Sequence, residues 1–198
     1  MQKSIRQPIQ QRSIETKRKI IQAGSMLFAQ KGFFKTNTAQ IAKKAGVSTG
    51  IVYGYFQDKK DILKDVLNEY VQNVYQPIFE LLDNLGEKQS VEKLVVDILD
   101  LAEILHKKYY SIHRELNSVA QSDEEINSTF VKMQDDITIS FTQKLKNLEY
   151  KNITNENIHL AMNLIESYVH EAVYDNHSYI DYSKLKTSVI FLIKSLFV

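Results

Sequence analysis

The chain has 198 residues, 43% of them hydrophobic and 25% charged, with no Cys, two Pro and six Gly, the make-up of an ordinary globular fold. Without Cys, disulfides, thiolate nucleophiles, Cys-ligated zinc and Cys-held iron–sulfur clusters are excluded. No run approaches the roughly 18–20 apolar residues of a membrane helix, and the polar start Met1-Gln2-Lys3-Ser4 lacks the apolar core of a signal peptide, so no membrane contact and a cytoplasmic location are expected.

The net charge of +1 hides a division. Residues 1–62 hold twelve Lys/Arg against three acids, a net +9, and the remainder carries −8. A basic first third points toward a polyanion such as nucleic acid. Residues 1–12 are polar, with Lys3, Arg6 and Arg12 and no apolar period, and are expected to form a flexible basic arm that reaches a neighbouring minor groove. From Ser13, Ile20, Ala23, Leu27 and Phe28 recur at helical spacing until Gly32, which predicts a helix over 13–31. Asn37 and Gln40 have the spacing of a capping box, opening a helix to about Lys44. Ala45-Gly46-Val47 interrupts, Ser48 offers a second cap, and a short helix carries Ile51, Val52, Tyr53, Tyr55 and Phe56. Asp58 caps a fourth helix, which runs to Pro77 or a little past it. Further amphipathic helices are predicted over 90–106, 108–120, 123–149, 155–175 and 183–197, and no strand pattern competes with them.

Two short helices joined by a tight Gly-containing turn, the second opened by a capping Ser, form the pattern of a helix-turn-helix. Such a motif places its second helix in the DNA major groove with its first residues, here Ser48, Thr49 and Gly50, at the base edges. Gly50 and Gly54 each cost about 1 kcal/mol of helix stability relative to Ala. Close approach of the backbone to a base or phosphate explains the omission of a Cβ there. Thr38 and Lys59 stand in first helical turns, where an anion is favoured. Tyr53 and Tyr55 cannot both face the core, so at least one hydroxyl is free for the duplex.

Residues 13–63, above all Gly32-Phe33, Thr36, Ile41-Ala42, Ala45-Gly46-Val47-Ser48, Gly50, Tyr53, Tyr55-Phe56 and Lys59, resemble the DNA-binding domain of the tetracycline-repressor (TetR) family of bacterial transcription regulators. The resemblance implies an all-α fold: the arm 1–12, a three-helix helix-turn-helix domain over 13–62, and a larger helical ligand-binding and dimerisation domain over 63–198. It also implies DNA contacts by Thr38, Ser48, Thr49, Gly50, Tyr53, Tyr55 and Lys59, and packing roles for Ile41, Ala42, Val47, Val52 and Phe56. Asn37 stands where Thr is frequent, Thr49 where Lys or Arg is common, and Gly54 where a larger residue often stands. Fewer guanine contacts and more reliance on thymine methyls and DNA shape are therefore expected.

In the second part, Ile158, Ala161, Met162, Ile165 and Val169, then Leu185, Val189, Leu192, Ile193 and Leu196, give the helices 155–175 and 183–197 wide apolar faces. A second subunit is the simplest cover, so a homodimer through these two helices is expected, with a palindromic double-stranded operator to match its two-fold axis. A small-molecule inducer of unspecified identity is expected in a largely apolar pocket, with Tyr110, His113, Met133, Ile137 and Phe141 as its candidate contacts. Glu166 and His170 have the i, i+4 spacing of metal ligands, but no third ligand is identifiable in the sequence, so neither a metal nor a cofactor is assigned. There is no P-loop, no H-E-x-x-H and no G-x-S-x-G. The expected function is a dimeric, ligand-released repressor and not an enzyme, the alternative being a DNA-binding regulator without an inducer.

Overall fold

The computed structural model describes residues 11–85, 89–175 and 177–197. Among them are eight α-helices and no strand: α1 (Gln11–Lys31), α2 (Thr38–Ala45), α3 (Thr49–Tyr55), α4 (Lys59–Asp83), α5 (Val91–Ser122), α6 (Glu124–Asn147), α7 (Asn155–His170) and α8 (Tyr182–Ser195). A π-helical turn, Glu171–Asp175, extends α7. Lys3 and Arg6 of the expected arm lie outside the described residues, and Arg12 already belongs to α1.

The chain divides into two compact units, one of residues to Val71 with Tyr110–Phe130, the other of Gln72–Tyr109 with Val131–Val198. The sequence reading divides the chain once, at 62/63, whereas α4, α5 and α6 each run from one unit into the other. The break in α5 falls at Tyr109, whose φ of −106° and ψ of 15° leave the helical region.

In the first unit, α1 buries Ile20, Ala23, Gly24, Leu27 and Phe28, the i, i+3, i+4 stripe of a helix with one covered face. Gly24 permits close packing on α4, because a Cβ there would meet Ile62 Cγ2 at 2.7 Å. α1 ends at Gly32 with φ +86°, a backbone conformation that a Cβ disfavours. Ile41, Ala42, Val52, Phe56, Ile62, Leu63, Val66 and Leu67 complete the core, each large apolar side chain contributing about 1.5–3 kcal/mol by leaving water. The α5 and α6 segments are tied in by polar contacts. Glu115 Oε1 accepts from the Phe33 amide at 2.5 Å, and Lys60 pairs with Asp123 and Glu125 at 2.7 and 3.2 Å.

In the second unit, α4 continues through Pro77 to Asp83. The prolyl ring removes one backbone bond, but burial of Val74, Ile78 and Leu82 on the same stripe carries the helix a further turn and a half. Phe79 stacks on Phe141 with centroids 4.3 Å apart. α7 opens on Thr154, whose side chain accepts from the Asn157 amide. α8 opens on Asp181, which accepts from the amides of Ser183 and Lys184. Both are ordinary N-caps. Lys186 of α8 bonds Asp100 and Glu103 of α5 at 2.6 and 2.7 Å. No described helix is long and apolar enough to cross a membrane.

Candidate DNA-binding surface

The turn between α2 and α3 is built as the residue types dictate. Asn37 Oδ1 accepts from the Gln40 amide at 2.9 Å, and Gln40 Oε1 accepts in return from the Asn37 amide at 3.1 Å, completing a capping box. α2 ends at Gly46 with φ 72°, whose amide returns to Ala42 and Lys43. Ser48 Oγ then accepts from the Ile51 amide at 3.3 Å and starts α3. Ile41, Ala42, Val52 and Phe56 are buried beneath, and Val47 is half-buried. With its inner face held in this way, α3 turns the opposite face outward.

That outer face carries Ser48 and Gly50, both exposed, half-buried Thr49, and Tyr53, which is 46% exposed. A Cβ on Gly50 would meet only Ser48 Oγ at 3.9 Å, and one on Gly54 would meet nothing within 4 Å. Internal packing therefore requires neither glycine. Thr38 is the first residue of α2, half-buried. Lys43 and Lys44 in its last turn, and Lys35 before it, are exposed. These three lysines entered the sequence reading only as part of a charge total, although their exposure near α3 makes them candidates for phosphate contact.

Two of the seven expected contacts have partners inside the protein. The Tyr55 hydroxyl shares a hydrogen bond of 2.8 Å with Ser13 Oγ of α1, so the tyrosine free to face outward is Tyr53. Lys59 Nζ donates to the carbonyls of Phe33, Phe34 and Thr36 at 2.7, 3.4 and 2.9 Å and lies 4.3 Å from the Phe33 ring centre. Its charge holds the α1–α2 connection, and burial lowers its pKa. Nearby, Thr36 Oγ1 donates to the Gly32 carbonyl at 2.8 Å.

The expected ligand contacts are not brought together. Tyr110 and His113 belong to the first unit, where His113 is buried with Nδ1 2.6 Å from the Tyr70 hydroxyl and Nε2 2.9 Å from Asn117 Nδ2. The second unit encloses a cavity of about 100 Å³ lined by Phe141, Leu145, Ile158, Met162 and other apolar side chains, with Tyr75, His106 and Glu166 as its polar groups. Met133 and Ile137 are outside that lining. Glu166, considered with His170 from the sequence, instead meets His106 Nε2 at 3.1 Å, while His106 Nδ1 lies 2.9 Å from the Ala102 carbonyl. Burial by itself lowers the His106 pKa, but the hydrogen bond and charge of Glu166, with the Ala102 carbonyl, outweigh it and raise the pKa. Only the imidazolium can donate from both nitrogens.

A capped, glycine-containing helix presented on a three-helix core, in a chain of helices alone, defines a helix-turn-helix protein. Residues 20–66 match the family model described as bacterial regulatory proteins, tetR family. The HTH-type transcriptional regulator TtgW of Pseudomonas putida is 33% identical over 97 residues, 49% of this chain and 70% of that protein. The HTH-type transcriptional regulator YttP of Bacillus subtilis is 28% identical over 119 residues, 60% of this chain. The chain spans about half the length of YttP (55%) and smaller shares, 30% and 38%, of two further relatives. In fold, it is similar to a transcriptional regulator from Saccharomonospora viridis solved in complex with choline, with a TM-score of 0.68, 16% identity, and coverage of 91% of this chain and 96% of that one. The chain belongs to the tetR family of bacterial regulatory proteins, a family of transcriptional regulators and not of enzymes.

Proposed function

We propose that this protein is a cytoplasmic, sequence-specific DNA-binding transcription regulator, acting as a dimeric repressor that a small molecule releases from a palindromic operator. The observation that carries the reading is the outward face of α3, where Ser48, Thr49, Gly50 and Tyr53 stand exposed or half-exposed on a buried Val52–Phe56 base. Thr38 and these four are the direct DNA contacts. Tyr55 and Lys59 serve the same surface by holding α3 and the α1–α2 connection in place. Lys35, Lys43 and Lys44 add charge for the phosphates.

Dimerisation through residues 155–175 and 183–197 is supported by large apolar side chains left in water: Leu160 is 47% exposed, Phe191 69% and Leu192 47%. Two-fold symmetry then requires half-sites about one helical turn, or a multiple, apart. For the ligand, the cavity of the second unit offers apolar walls and a polar end at Tyr75, His106 and Glu166, the usual composition of a small-molecule site. The choline complex of the S. viridis neighbour supports this, as a structure of the same fold holding a small molecule. Release requires only that the ligand bind the DNA-free state more tightly than the DNA-bound one.

Selection of bound duplexes from a random pool tests the reading. The recovered motif should be an inverted repeat, and Thr49→Ala should change the preferred base at one position in each half-site. Recovery of no common motif would overturn it.

A further inference from the structure

The π turn that extends α7 gathers four side chains for which the DNA-binding account has no use. Around an α-helix, at 3.6 residues per turn, positions five apart are separated by about 140°. The wider i→i+5 turn brings them nearly into line, and His170 Nδ1 accordingly lies 3.3 Å from Asp175 Oδ2. Glu171, four residues before Asp175, is on the same side. The chain then turns back so that His177 Nε2 is 3.6 Å from Glu171 Oε2. His177 is held in position: its amide donates to the Tyr182 hydroxyl at 2.6 Å, and its ring stacks on Tyr179 at 5.2 Å.

Three features of this cluster point to a cation. The donor atoms of Glu171, Asp175 and His177 all lie within 4.8 Å of one another, against a span of up to about 4.3 Å for two donors on one zinc-sized ion, so side-chain movements of a few tenths of an ångström close the set. Glu171 Oε2 is buried and accepts no hydrogen bond, and its 3.6 Å approach to His177 Nε2 is too long for one. A buried carboxylate oxygen in that position costs free energy unless a cation satisfies it. Finally, the cluster sits at the C-terminal end of α7, the end whose dipole favours positive charge.

We propose that Glu171, Asp175 and His177 form a binding site for one divalent transition-metal cation of the Zn²⁺ class, with His170 as the outer partner that orients the Asp175 carboxylate. The imidazole selects this class over Mg²⁺ and Ca²⁺, which prefer oxygen alone. Three protein donors leave a coordination position for water. The bound ion links the end of α7 to the segment leading into α8 and so stiffens that connection.

The test is titration of the full-length, tag-free protein with Zn²⁺ by calorimetry, and with Co²⁺ by visible absorption, which reports the ligand field. The protein has no cysteine to compete for either ion. One Zn²⁺ per chain is expected, unaffected by millimolar Mg²⁺. His177→Ala and Glu171→Gln should abolish binding, His170→Ala should weaken it about 10-fold as an outer-shell partner, and His159→Ala should leave it unchanged. Metal-free circular dichroism melts of the variants should match that of the parent protein, and Zn²⁺ should raise the melting temperature of the parent but not of His177→Ala. Absence of stoichiometric binding, or equal binding by the parent, His177→Ala and Glu171→Gln, would overturn the proposal.

Discussion

Replacing Gly50 by Ala separates the requirements of the fold from those of the DNA. Gly50 has no positive φ, unlike Gly32 and Gly46, and the new methyl would meet only Ser48 Oγ, at the ordinary contact distance of 3.9 Å. The folded state can therefore take the methyl without strain, while the unfolded chain loses conformational freedom. The expected stabilisation is about 0.4–1 kcal/mol, or about 1–4 °C in Tm for a chain of this size. At the DNA the same methyl stands where the α3 backbone approaches a base edge. Loss of one such contact costs about 1–3 kcal/mol, roughly 5- to 150-fold in affinity. Thermal melts by circular dichroism and anisotropy titrations on a labelled operator read the two effects separately. Gly46→Ala is the contrast, since its φ of +72° penalises a side chain by about 1–2 kcal/mol and should lower Tm. A Gly50→Ala protein that melts higher and binds DNA as tightly as the parent would refute the assignment of this face to the duplex.

Four further outcomes are expected. Tyr53→Phe should weaken DNA binding with Tm unchanged, whereas Tyr55→Phe should lower stability by about 0.5–1.5 kcal/mol through loss of the Ser13 hydrogen bond, as read in urea melts. Lys59→Ala should destabilise the protein by roughly 1–3 kcal/mol because three carbonyls lose a charged donor, while Lys43→Ala should leave Tm intact and reduce the slope of log K against log salt by about 1. The His106–Glu166 pair raises the imidazole pKa in the fold, so its stabilisation is complete below the ordinary value near 6.5 and is lost as pH rises through the folded value; Glu166→Gln should flatten the stability profile above about pH 6.5, and equal slopes for the two proteins would contradict the pairing. Phe191→Glu should convert dimer to monomer in sedimentation velocity, and an unchanged dimer would remove α8 from the proposed interface.

Local chemistry made much of the fold legible in the sequence. Asn37, Gln40, Gly46, Ser48 and Asp58 act through neighbours within four residues, and each performs the capping or turn role its type predicts. Partners distant in the chain were not legible. That one of Tyr53 and Tyr55 turns outward follows from spacing, but the choice of Tyr53 depends on Ser13, 42 positions before Tyr55. Lys59 reads as a phosphate ligand from its place at the start of α4, yet the carbonyls that hold it belong to a turn more than twenty residues earlier. The stripe Met133, Ile137 and Phe141 marks the inward face of α6 without saying which neighbour each residue meets, and only Phe141 lines the cavity. Continuation of α4 past Pro77 was illegible for a similar reason, since burial of Ile78 and Leu82 outweighs the lost backbone bond. The π turn has no local sequence signature, so the approach of His170 to Asp175 could not be read from an α-helical repeat.

The central claim, that α3 reads DNA, is tested most directly by titrating the purified protein against the duplex flanking its own gene, with anisotropy detection, excess unrelated competitor DNA and salt varied. Tight binding that survives competitor, with two subunits per site and a steep fall with salt, is the predicted result. Binding to that duplex and to selected genomic fragments that competitor abolishes equally, and that Thr49 and Tyr53 substitutions leave unchanged, would contradict it.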